Sequence, residues 1–279
     1  MTCKIDGLDR PEVGGGRELE FHLFDTHAHL EWSDFDLDRC EVIRRAVGRG
    51  VKGIVNVGYN LESSLKALEL ARSNTGIYAA VGIHPHEAYS VNPDALGFLE
   101  DLSRDPKVVA IGEIGLDYYR GLSPRGLQIS AFKAQLELAY ALNLPVIIHC
   151  REAHNDLLEI LRGYKAEIRG IMHCFSGSYE TAKQCMALNF YISFAGPVTY
   201  PNAKRLERIV YNMPMERLLI ETDSPWLAPQ PVRGRRNEPS HIVYIAERIA
   251  EIKDTSIRDV ADSTTRNAEA ILGLTTPQG

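Results

Sequence analysis

Residues 146–177 read VIIHCREAHNDLLEILRGYKAEIRGIMHCFSG, and this stretch decides the fold class. Two short apolar runs, 146–149 and 170–173, flank a segment at 155–162 whose apolar residues recur at helical spacing. Apolar runs without polar alternation are typical of strands that are covered on both faces. A strand, a helix and a second strand in this order predict one unit of a parallel sheet.

The same alternation continues in both directions along the chain. Further buried strands are predicted at 21–25, 51–57, 77–82, 108–112, 191–194 and 218–222. Further helices are predicted at 63–71, 95–103, 127–142, 179–188, 203–210, 242–252 and 257–272. Eight strands that alternate with helices predict an α/β fold, a single-domain (β/α)8 TIM barrel. The main alternative, an open doubly wound sheet, usually has a glycine-rich turn after its first strand, where this chain has Asp-Thr-His-Ala-His at 25–29.

The length of the chain suits this single barrel. Its 279 residues match the usual size of the fold. Residues 1–20 lack hydrophobic periodicity and contain three consecutive glycines at 14–16. We therefore predict a flexible N-terminal extension at 1–20 and one hydrolase barrel at 21–279.

Charge and composition restrict the function classes. The net charge of −6 argues against a protein that coats nucleic acid by charge alone, but it allows a local phosphate site. The five cysteines form no Cys-x-x-Cys pair and are typical of reduced thiols in the cytoplasm. There is no signal-peptide pattern and no apolar run of membrane-spanning length. We expect a cytoplasmic monomer without membrane contact.

Potential metal ligands fall at the predicted carboxyl ends of the strands, where barrels build their active sites. His27 and His29 are two residues apart, so both imidazoles should face the same side of the first strand. Histidines and carboxylates together are typical ligands of divalent metals in hydrolytic sites. The full candidate set is His27, His29, Glu113, His149, His173 and Asp223.

From about Phe24 to Leu274 the chain resembles the TatD-type deoxyribonucleases of the amidohydrolase superfamily. The motifs that carry the resemblance are DTHAHL (25–30), GIHPH (82–86), GEIGLDY (112–118), HCR (149–151), HCFSG (173–177), ETDSP (221–225) and RNEP (236–239). The resemblance implies two divalent metal ions, one bound by His27, His29 and Asp223 and the other by His149 and His173. It implies that Glu113 bridges them. It further implies a metal-dependent DNA exonuclease that acts on single strands or ends.

The predicted centre also suggests a reaction. Two divalent ions would carry more charge than Glu113 and Asp223 neutralise, so the site should attract an anion such as a phosphodiester. Zinc, magnesium or manganese would activate water, and Asp223 would orient or deprotonate it. His84 is predicted to contact a phosphate oxygen or the leaving group. Arg151 and Arg235 are predicted to bind phosphate.

Other residues leave alternatives open. Trp32, Tyr118, Phe175 and Trp226 lie in predicted site loops, where they either stack on bases or pack internally. Asp117 and Glu238 are candidates for orienting ligand histidines, and the role of Glu221 stays open. The alternative functions are an amide or ester hydrolase, including aminoacyl-tRNA editing, and a non-catalytic binding protein on the same fold.

Overall fold

A computed structural model describes residues 21–274 and contains one sheet of eight strands in the order β1 to β8. Each neighbouring pair is parallel. The strands are β1 (Leu23–Ala28), β2 (Val51–Val57), β3 (Ile77–Val81), β4 (Val108–Asp117), β5 (Val146–Arg151), β6 (Gly170–Met172), β7 (Phe190–Phe194) and β8 (Leu218–Ile220). This arrangement confirms the predicted (β/α)8 barrel.

The barrel closes where the chain following β8 meets β1. The His29 N–H donates to the Ser224 carbonyl at 2.8 Å, and the Asp223 N–H donates to the His27 carbonyl at 2.9 Å. Ala28 and Ser224 also form a parallel bridge. Three residues of the predicted metal site, His27, His29 and Asp223, therefore form the seam of the barrel with their own backbones.

Helices cover the outside of the sheet. They are α1 (Arg39–Gly48), α2 (Leu61–Ser73), α3 (Pro93–Leu102), α4 (Arg125–Leu142), α5 (His154–Arg162), α6 (Tyr179–Ala187), α7 (Lys204–Asn212), α8 (Ile242–Lys253) and α9 (Ile257–Leu272). Asn60, Asn92 and Ser256 begin three of them, because each side chain accepts a backbone N–H of the first turn. Helix α1 was not predicted, because four of its ten residues are charged and only three apolar residues are buried.

Strand β4 is longer than predicted and irregular. Ile111 pairs with Val146 and Ile114 pairs with Ile148, so β4 advances by three residues where β5 advances by two. The prediction that Glu113 follows the strand is therefore wrong, because Glu113 lies at this bulge within it. Gly115 allows the close contact beyond the bulge, since its φ is +141° and a Cβ there would lie 2.0 Å from the His149 carbonyl oxygen.

Three predictions concern the rest of the chain. The proposed extension at 1–20 lies outside the described residues. Within residues 21–274, no helix is long and apolar enough to cross a membrane. Cys150, Cys174 and Cys185 are free thiols, in agreement with the expectation of reduced cysteines.

Candidate metal centre

The six predicted ligands converge at the carboxyl end of the barrel, and His27, His29 and Asp223 form their first group. The Nε2 atoms of His27 and His29 lie 3.0 Å apart. Asp223 Oδ1 lies 3.9 Å from His27 Nε2 and 3.7 Å from His29 Nε2. Ligands about 2.0–2.1 Å from a tetrahedral cation are roughly 3.4 Å apart, so this spacing fits one divalent ion.

Glu113 joins this group to a second one. Its Oε2 lies 3.6 Å from His27 Nε2 and 3.9 Å from His29 Nε2. Its Oε1 lies 2.9 Å from His149 Nδ1 and 3.3 Å from His173 Nε2. Each carboxylate oxygen thus faces a different pair of histidines, which is the placement that a bridging ligand requires.

Further carboxylates lie against the outer nitrogens of three histidines. Asp117 Oδ2 is 3.0 Å from His149 Nε2, and Glu221 Oε1 is 2.8 Å from His173 Nδ1. A third carboxylate, from Glu31, lies 3.5 Å from His29 Nδ1. Asp117 and Glu221 are close enough to select the tautomer and orientation of an imidazole that binds metal through its other nitrogen, whereas Glu31 acts on His29 through its charge.

Only part of this outer layer of carboxylates was predicted from the sequence. Asp117 lies where an orienting role requires, and Glu221 faces His173. Glu31 was missed, although its position two residues after His29 was a usable signal. Glu238 contacts none of the six candidate ligands. It accepts hydrogen bonds from Arg45 and Ser240 instead, so the expectation for it was wrong.

In the absence of cations, the centre holds protons tightly. Burial alone would lower the pKa values of His29 and His173, but the surrounding carboxylates raise them to about 9 and about 10. Burial raises the pKa of Asp223 to about 6. The pKa of Glu113 lies well below its ordinary value because neighbouring histidines outweigh its burial. Metal binding must therefore displace protons from imidazoles.

His84 is buried beside this centre, with its Nε2 3.6 Å from Glu113 Oε1. It is within reach of a metal shared with Glu113 and His149. However, its Nδ1 accepts a hydrogen bond from the His86 backbone N–H at 3.1 Å. Burial holds the pKa of His84 well below its ordinary value, so the ring is neutral and its proton resides on Nε2. A protonated Nε2 suits a hydrogen-bond donor better than a metal ligand.

The predicted phosphate-binding arginines lie at the mouth of the barrel, outside the ligand cluster. Arg151 is exposed at the end of β5, and its guanidinium stacks 4.1 Å from the centre of the Tyr119 ring. Arg235 is exposed in the loop after β8. Their neighbour in sequence, Arg236, instead forms an ion pair with Asp38 at 2.7 Å and is part of the scaffold.

The outer carboxylates change the expected charge of the site. The predicted positive excess counted only Glu113 and Asp223 against two divalent ions. The carboxylates of Glu31, Asp117 and Glu221, each next to a ligand histidine, add three acidic groups to this count. Attraction of an anion over longer distances must therefore come from the arginines at the mouth.

The four aromatic candidates differ in whether their rings are exposed near the metal centre or packed inside the protein. Trp226 lies 5.0 Å from both His29 and Trp32, measured between ring centres, and is 42% exposed. Phe175 is buried in the core, so stacking on a base is excluded for it. Tyr118 is half-buried and donates its hydroxyl hydrogen to Asp156.

Comparisons with known proteins agree with this geometry. The family model described as "TatD related DNase" matches residues 24–273. The chain is 48% identical to the uncharacterized metal-dependent hydrolase YabD of Bacillus subtilis, over 90% of this chain and 99% of that protein. It is 36% identical to the 3′-5′ ssDNA/RNA exonuclease TatD of Erwinia amylovora, over 90% of this chain and 100% of that protein. The crystal structure of the TatD homologue YjjV from Escherichia coli has a TM-score of 0.86 at 30% identity, covering 91% of this chain and 98% of that one.

Proposed function

Because the chain belongs to the TatD-related DNase family and is a metal-dependent hydrolase, we propose that it is an exonuclease that shortens single-stranded nucleic acid, DNA foremost, from the 3′ end. The relative from Erwinia amylovora carries that activity in its name. The placement of Glu113 supports this proposal most directly, since its two oxygens face two separate histidine pairs.

The proposed centre holds two divalent ions. His27, His29 and Asp223 would bind one, His149 and His173 would bind the other, and Glu113 would contact both. Zinc suits the histidines, whereas magnesium or manganese suits a carboxylate-bridged phosphate site. Such ions would activate a water molecule as the nucleophile and stabilise negative charge on the phosphate oxygens.

The side chains of this chain would handle the protons. Asp223 accepts a proton from the attacking water at its carboxylate, while the water oxygen bonds to phosphorus. The bond between phosphorus and the O3′ of the preceding sugar breaks. His84 donates the hydrogen on Nε2 to that leaving oxygen. Arg151 and Arg235 contact phosphates of the strand that extends from the mouth. A cytoplasmic location and a monomeric state stay predictions.

The test uses the full chain after chelation. End-labelled single-stranded DNA, double-stranded DNA and RNA are incubated with magnesium, manganese or zinc in turn. We expect metal-dependent shortening of the single strand by one nucleotide at a time. We expect Glu113→Gln, which keeps the shape of the side chain, to reduce the rate at least about 100-fold, while Glu159→Gln on the exposed face of α5 should leave it unchanged.

Two outcomes would contradict the proposal. Equal rates in the two variants would exclude Glu113 from the reaction. Absence of cleavage of every nucleic acid, from protein that binds two ions, would redirect the search to carboxylic ester and amide substrates.

A further inference from the structure

A cavity of about 490 Å³ lies between the β1–α1 loop and α2, and its lining runs from Glu31, beside His29, along α2 from Glu62 to Ser73. Trp32 and Tyr59 line it, and their ring centres lie 5.2 Å apart. Tyr59 is 6.2 Å from the ring of His29. Trp32 and Tyr59 therefore form an aromatic wall of the cavity, and Tyr59 lies next to His29, a proposed metal ligand. Its size is within the range of pockets that enclose small organic ligands.

The same cavity is lined by a buried carboxylate without hydrogen bonds. The side chain of Glu31 is 3% exposed, and neither of its oxygens has a hydrogen-bond partner among the described residues. Its nearest charged neighbour is His29 Nδ1 at 3.5 Å, outside good hydrogen-bond geometry. A buried carboxylate is costly unless a donor satisfies it, so this oxygen pair favours a ligand that brings a neutral hydroxyl or N–H group.

Charge divides the mouth of the barrel into two halves. The loops after β1, β2 and β3 are acidic, and the basic groups that line the cavity there, Arg39 and Lys66, are paired with Asp36 and Glu62. The acidic residues of this half include Glu31, Asp34, Asp36, Asp38, Glu62 and Glu87, of which Asp38 is paired with Arg45 and Arg236.

The loops after β4, β5, β7 and β8 form the opposite, basic half. Its exposed arginines are Arg120, Arg125, Arg151, Arg205, Arg233 and Arg235. Within residues 21–274 no ion pair with a carboxylate joins any of these six. Three of them lie over tyrosine rings: Arg125 at 4.3 Å, Arg151 at 4.1 Å and Arg233 at 4.3 Å from the ring centre. They are free to contact phosphates and are already held in place.

We infer that the cavity binds the terminal nucleoside of the strand, while the remaining nucleotides extend over the basic half. This inference rests on the proposed function. The terminal base packs against Trp32 and Tyr59, and the free 3′-hydroxyl donates to Glu31. Because the surrounding half is acidic, a strand that continued through the cavity would bring its next phosphate against carboxylates. The division of charge thus restricts cleavage to strand ends.

The test compares termini of otherwise identical 5′-labelled single strands. One strand ends in a 3′-hydroxyl, one in a 3′-phosphate and one in an abasic sugar, and a fourth substrate is a circle. For the natural enzyme we expect rapid trimming of the first strand. Cleavage of the 3′-phosphate strand should be slower by at least about tenfold, and the circle should stay intact.

Variants then isolate the base contact. Trp32→Ala should lower kcat/KM on the normal terminus by about 5- to 150-fold, the range of base–aromatic stacking, and should have little effect on the abasic terminus. Tyr119→Ala, an aromatic loss on the basic half, should affect both termini equally. If Trp32→Ala folds poorly by thermal melting, Trp32→Leu repeats the comparison with an apolar side chain that has no ring face.

The outcomes separate this inference from the function beneath it. Equal cleavage of all termini, cutting of circles, or an equal loss on normal and abasic ends in the Trp32 variants would overturn the inference and leave the nuclease assignment standing. Absence of cleavage of every strand by the natural enzyme would overturn the proposed function itself.

Discussion

Loading the metal centre should release protons, and their number follows from the structure. Without cations, the pKa of His29 is about 9 and that of His173 is about 10, so both imidazoles carry an extra proton at pH 7. Each must become neutral to bind a cation. Filling both positions at pH 7 should therefore release at least two protons per chain. Apparent affinity for each ion should rise about tenfold per pH unit between pH 7 and 9.

Calorimetric titration of the chelated protein measures this release directly, because buffers with different ionisation enthalpies report the protons transferred. Glu221→Gln removes the charge that lies 2.8 Å from His173 Nδ1. We expect the pKa of His173 to fall, one fewer proton to be released, and affinity at pH 9 to weaken by about 10- to 100-fold. Glu159→Gln serves as the matched control. Metal binding at pH 7 without proton release would show that both imidazoles are already neutral and would refute the raised pKa values of His29 and His173.

Three further outcomes can be checked independently. When the logarithm of affinity for single strands is plotted against the logarithm of salt concentration, Arg151→Ala should reduce the steepness of the slope by about 0.7, because one phosphate contact is lost. An unchanged slope would show that Arg151 does not contact the strand. Gly115→Ala should lower the free energy of unfolding in a urea titration by at least about 3 kcal/mol, because the new Cβ would meet a carbonyl oxygen. Gly126→Ala, at a position in α4 with open space around it, should instead raise the free energy of unfolding by up to about 1 kcal/mol. In the metal-free protein, the raised pKa values of His29 and His173 contribute stability that is complete below about pH 6.5 and is lost as pH rises through about 9 and 10; a melting temperature that increases over that range would contradict this.

The barrel was predictable because its strands carry nearly continuous apolar runs. Residues at strand ends were equally accessible, since the carboxyl ends of parallel strands meet on one face. The direction of side chains around Glu113 could not be predicted by assuming regular alternation along the strand, because an extra residue at the bulge shifts the register against β5. Helix α1 was not predicted because only Val42, Ile43 and Ala46 among its ten residues are buried.

The outer carboxylates show a different limit. Glu221 and Asp117 are separated in sequence from the histidines that they contact, and only the closed barrel brings each pair together. Their presence also changed the expected charge of the centre. A charge count taken from ligands alone cannot include groups whose proximity depends on tertiary structure.

The seam between β1 and the segment after β8 has a consequence for biosynthesis. His27 and Asp223 exchange a backbone hydrogen bond across it, although 196 residues separate them along the chain. A cation bound by both side chains would link the first strand to the segment after the last strand, closing a loop that comprises most of the polypeptide. That position can form only after nearly the whole barrel has been synthesised, so an emerging chain carries His27 and His29 for most of its synthesis before it can bind the ion they share.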